Sequence, residues 1–79
     1  MEQIVGFVLL TISPEKEIEV FEKLKSLEEV MEVHPIFGEY DFLVKVKSES
    51  PKSLGEYVME VIREIDGILD SKTFVTANI

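Results

Sequence analysis

Few residues of this sequence combine side-chain type and spacing in a way that could support chemistry. His34 is the only histidine, and there is no cysteine. Thiol catalysis, a zinc ribbon and a disulfide framework are thereby excluded, and one imidazole cannot make a two-histidine metal site within one chain. His34 precedes Pro35 and follows Glu32 at i−2, which puts carboxylate and imidazole on one pleat face if the segment is extended. Such a pair would suit a general base, and it is equally what a polar edge strand looks like. Carboxylates outnumber Lys and Arg sixteen to eight. Pairs such as Glu15 with Glu19 or Glu60 with Glu64 therefore arise on helix faces as solvated surface, and Glu19 is compensated by Lys23. The glycines at 6, 38, 55 and 67 are dispersed and form no phosphate loop. The expectation is no catalytic residue, no metal ligand and no cofactor.

Two groups remain that could hold a small ligand. Gly38-Glu39-Tyr40-Asp41 places a flexible glycine, a phenol and a carboxylate within four residues, and Ser71, Thr73 and Thr76 bring hydroxyls to a later apolar segment. Asp41 could pair with an ammonium while backbone N–H groups and hydroxyls donate to a carboxylate, so the chemistry on offer is capture of a small zwitterion. Gly-Glu-Tyr-Asp is also a good turn, and Ser and Thr are ordinary strand residues.

The surrounding elements decide whether these groups meet. Gln3 to Ile12 is rich in β-branched and aromatic residues and reads as a buried strand. Its two pleat faces, Ile4, Gly6, Val8, Leu10, Ile12 and Val5, Phe7, Leu9, Thr11, are both largely apolar, so both need cover. Ser13-Pro14-Glu15 supplies a hydroxyl N-cap, a proline in the first turn and an acid suited to the helix dipole. The helix it starts carries Ile18, Phe21, Leu24 and Leu27, with Val20 beside them, on its apolar face. Val30 to Phe37 is a second strand, placed at a sheet edge because Pro35 cannot donate to a ladder. Gly38 to Asp41 turns into a third strand, Phe42 to Lys47. Ser50-Pro51 starts a second helix with Leu54, Tyr57, Val58, Val61, Ile62 and Ile65 on one face. Gly55 inside it weakens the helix by about 1 kcal/mol relative to Ala, and close packing on a neighbour is the expected reason. Asp66-Gly67 ends the helix, and Ile68 to Ala77 is the last strand.

The order β-α-β-β-α-β is the split βαβ, or ferredoxin-like, pattern: an α+β fold whose antiparallel sheet runs 4-1-3-2 with both helices on one face. The other face keeps part of the first strand's apolar set, so pairing with a second copy into an α+β barrel dimer is expected.

Size and charge narrow the partners. Seventy-nine residues make one domain, with no room for a helix-turn-helix beside it. A net charge of −8 opposes direct contact with nucleic acid. There is no positive n-region and no bilayer-spanning stretch, so the expected location is cytoplasmic and no membrane partner is expected.

Phe37-Gly38-Glu39-Tyr40-Asp41-Phe42-Leu43-Val44 resembles the Gly-x-Tyr-Asp turn and apolar strand of the Lrp/AsnC regulators' C-terminal amino-acid-sensing domain. Ile65-Asp66-Gly67-Ile68 to Val75 is similar to that family's entry into its last strand, and the likeness covers residues 3–77. The resemblance implies a domain that pairs through its sheet, often gathers four dimers into a ring, and binds an amino acid between dimers. By position, Gly38, Glu39, Tyr40 and Asp41 on the hairpin and Ser71 and Thr73 on the last strand would form the effector site, Asp41 taking the ammonium or a polar side chain. Pro35 and Phe37 stand where smaller residues are usual before the glycine. The resulting expectation is a stand-alone sensor and oligomerisation module that associates with full-length regulators of the family. A small monooxygenase-like enzyme of the dimeric α+β barrel type and a ligand-free structural module are the alternatives.

Overall fold

Four strands and two helical segments follow one another in the computed structural model, which describes residues 3–76. They are β1 (Ile4–Ile12), α1 (Glu17–Ser26, entered through a 3-10 turn at Pro14–Lys16), β2 (Val30–Pro35), β3 (Phe42–Ser48), α2 (Pro51–Tyr57, continued by a π-helical turn at Val58–Ile62) and β4 (Ile68–Val75). Every strand pairing is antiparallel and the sheet order is β2-β3-β1-β4, the expected topology read from the opposite edge. The last strand's expected end, Ala77, lies outside the described residues.

The two Ser-Pro starts behave differently. Ser50 caps α2 through its Oγ, which accepts from the Ser53 amide at 3.1 Å, and Pro51 occupies the first turn. Ser13 does not cap as expected. Its hydroxyl donates to Glu15 Oε1 at 2.8 Å, because the chain enters α1 through the tighter 3-10 turn rather than directly. The second helix does not run to Asp66-Gly67 as expected: its π-helical turn ends at Ile62 with Arg63 as the C-cap, and Gly67, at φ +107°, lies in the turn that enters β4, where an added Cβ would lie 2.6 Å from Lys16 Cβ.

One face of β1 carries the core. Val8, Leu10 and Ile12 pack with Val44 and Val46 of β3 beneath Val20 and Leu24 of α1, Leu54 of α2, and Val58 and Ile62 of the π-helical turn. Phe21 and Phe42 add an edge-to-face contact with centroids 6.0 Å apart, the geometry that an aromatic quadrupole favours. Gly6 belongs to this face, and its missing side chain admits Leu54: an added Cβ would collide with Leu54 Cδ2. The close helix approach anticipated at Gly55 therefore occurs at Gly6, and a Cβ on Gly55 would meet nothing within 4 Å. Ile18 also departs from expectation. It is 75% exposed, because Val20 and Leu24 point into the core and Ile18 falls outside that stripe.

The opposite face of the sheet has no helix over it. Phe7 stands directly across from Lys45 and Phe74, and Leu9 across from Leu43 and Lys72. This face is an apolar centre of Phe7, Leu9, Leu43 and Phe74 bordered by charge.

Candidate functional site

β2 ends at Pro35, two residues short of the expected Phe37. The Ile36 amide donates to the Asp41 carbonyl at 2.9 Å, so residues 37–40 form the hairpin loop, with Gly38 at φ +124°. That φ lies in the region glycine enters without the Cβ penalty. Glu39 is exposed, and Tyr40 and Asp41 are half-buried.

Asp41 does more than turn the chain. Its amide donates to the Leu10 carbonyl at 2.8 Å, and its Oδ2 accepts from the Ile12 amide at 2.8 Å. Where β3 would have to continue to satisfy the next donor of β1, the Asp41 side chain takes the place of a backbone carbonyl. The hairpin base is thereby fixed to the C-terminal end of β1. A carboxylate has lone pairs for about four donors, and among the described residues Oδ1 accepts none.

Ser71 and Thr73 pair across β4 with Leu10 and Val8. Cross-strand partners share a face, so both hydroxyl residues point to the helix side of the sheet, on an edge that the helices leave partly uncovered. Ser71 is half-buried and Thr73 exposed. The fold brings Asp41 and Ser71 to the same end of the sheet, at the level of Leu10, with β1 between them: a separation of two strand spacings, about 10 Å. Thr73 lies two residues further along. The three main clefts of the single chain are lined elsewhere, so hairpin and β4 hydroxyls do not by themselves enclose a ligand.

His34 is on the open face, and its Nε2 lies 2.8 Å from Glu32 Oε1, while Lys45 Nζ is 3.5 Å from Glu32 Oε2. The hydrogen bond from His34 and then the Lys45 charge hold the Glu32 carboxyl below its usual range. All three groups are solvent-accessible and no cleft adjoins them, so the arrangement is an edge-strand ion pair. Tyr57 is a feature the sequence did not flag. Its hydroxyl is buried, with no partner in hydrogen-bonding geometry among the described residues, and burial followed by the negative field of Glu29 pushes its pKa up to about 12. Among the described residues no group of three or more His, Asp and Glu side chains is arranged to hold a metal. Among the described residues no helix is long and apolar enough to cross a membrane.

A four-stranded antiparallel sheet with both helices on one face, an open opposite face and a Gly-x-Tyr-Asp hairpin fixed to its central strand defines a ferredoxin-like α+β domain. Residues 5–78 match the Lrp/AsnC ligand binding domain, and the chain belongs to that family. It is 36% identical over 74 residues to an uncharacterised helix-turn-helix-type transcriptional regulator of Pyrococcus furiosus, a match covering 90% of this chain and 49% of the relative. The chain thus spans about half the length of the curated relatives it matches. Its fold superimposes on the crystal structure of FFRP-DM1 with a TM-score of 0.87 and 35% identity, covering 94% of this chain and 99% of that one. A transcriptional regulator from Neisseria meningitidis, solved as an L-Met complex, has the same fold with a TM-score of 0.87 at 14% identity, over 95% of this chain and 50% of that one.

Proposed function

We propose that this chain is an amino-acid-sensing and assembly domain that belongs to transcription control. In this reading it pairs through the open sheet face into dimers, binds a free amino acid where the hairpin of one dimer meets the next, and associates with full-length regulators of the family in the cytoplasm. The observation that carries the ligand site is Asp41: one carboxylate oxygen is anchored by the Ile12 amide and the other is left for a ligand's ammonium. Gly38 allows close approach of a ligand to the backbone, Glu39 and Tyr40 border the same loop, and Ser71 and Thr73 offer hydroxyls to the ligand from a neighbouring subunit. The L-Met bound by the Neisseria regulator is a ligand of the class this chemistry would accept. Homologues that are transcriptional regulators support a role outside catalysis.

The test is calorimetric titration of the purified protein with each of the twenty amino acids. At least one is expected to bind. Asp41→Asn keeps an oxygen for the Ile12 amide but removes the charge, so it should fold normally and bind about 10- to 100-fold more weakly, since a hydrogen bond to a charged group contributes about 1.5–3 kcal/mol. Asp41→Ala also orphans the Ile12 amide and should lose about 1–3 kcal/mol of stability in denaturant titration. If no amino acid binds, the sensor reading is wrong.

A further inference from the structure

We draw no further inference here: the strongest candidate, the polar cleft where α2 meets the α1–β2 connection and the end of β3, lined by Glu28, Glu29, Lys47, Glu49, Ser53 and Tyr57, gathers carboxylates around a half-buried tyrosine whose hydroxyl already faces the Glu29 charge, and nothing in the structure independently points to a ligand there.

Discussion

The two faces of one sheet are built from the same strands and have opposite fates. On the helix side Val8, Leu10, Val44 and Val46 have no exposed surface. On the other side Phe7, Leu9 and Leu43 are only half-buried, and Phe74 is 49% exposed. Both faces of β1 are apolar, yet two helices of ten and seven residues can cover only one of them. A 79-residue chain has too little material to finish its own core on both sides. The difference teaches that one face holds the fold together, while the other keeps apolar surface that the proposed function assigns to pairing.

The largest expected effect tests the covered face. Leu10→Ala removes a fully buried side chain and should lose about 2–5 kcal/mol in chemical denaturation. Gly6→Ala comes next, because the added methyl collides with Leu54 Cδ2. Overpacking of this kind destabilises by about 1–3 kcal/mol. Gly55→Ala, facing open space, should shift stability the other way by about 1 kcal/mol.

On the open face the expected readout changes from folding to assembly. Leu9→Glu puts a charge among Phe7, Leu43 and Phe74, and should leave the circular-dichroism spectrum intact while light scattering falls toward the monomer mass. If Leu9→Glu unfolds the chain as Leu10→Ala does, the distinction between the faces is lost. The smallest effect concerns Glu32 on the rim. His34 and Lys45 lower its carboxyl, so the folded protein binds this proton more weakly than the unfolded chain. The pair's contribution is present above the ordinary value of 4.5 and disappears as pH falls through the lowered one. NMR titration should find the Glu32 midpoint depressed in the native protein and restored toward normal in His34→Ala.

Much of this arrangement was legible in the chain. Pro35 marked the edge strand, Gly67 the turn into the last strand, and the spacing of Leu54, Val58 and Ile62 the buried face of the second helix, although that helix ends at Ile62 and not at Asp66-Gly67. Each of those signals is local, a matter of one ring, one φ or one helical repeat. Ile18 misled because steps of three residues drift around a helix of 3.6 residues per turn, so that with Val20 and Leu24 facing the core Ile18 ends on the far side. Gly55 misled because a glycine inside a helix suggests a close approach without saying which partner makes the room, and here Gly6 does. The candidate site was legible as residue types at a hairpin. The capture of the Ile12 amide by Asp41 was not, since it joins residues 29 apart in sequence.

The amino-acid order by itself determined the succession of elements, the sheet topology and the excess of apolar surface on β1, because periodicity, caps and proline act within a few residues. Only the tertiary structure decided which face the helices take, that Ser71 and Thr73 stand on the helix side with β1 between them and Asp41, and that Phe37 is left exposed. Those outcomes depend on strand register and helix approach, which are settled by packing between residues far apart in the chain.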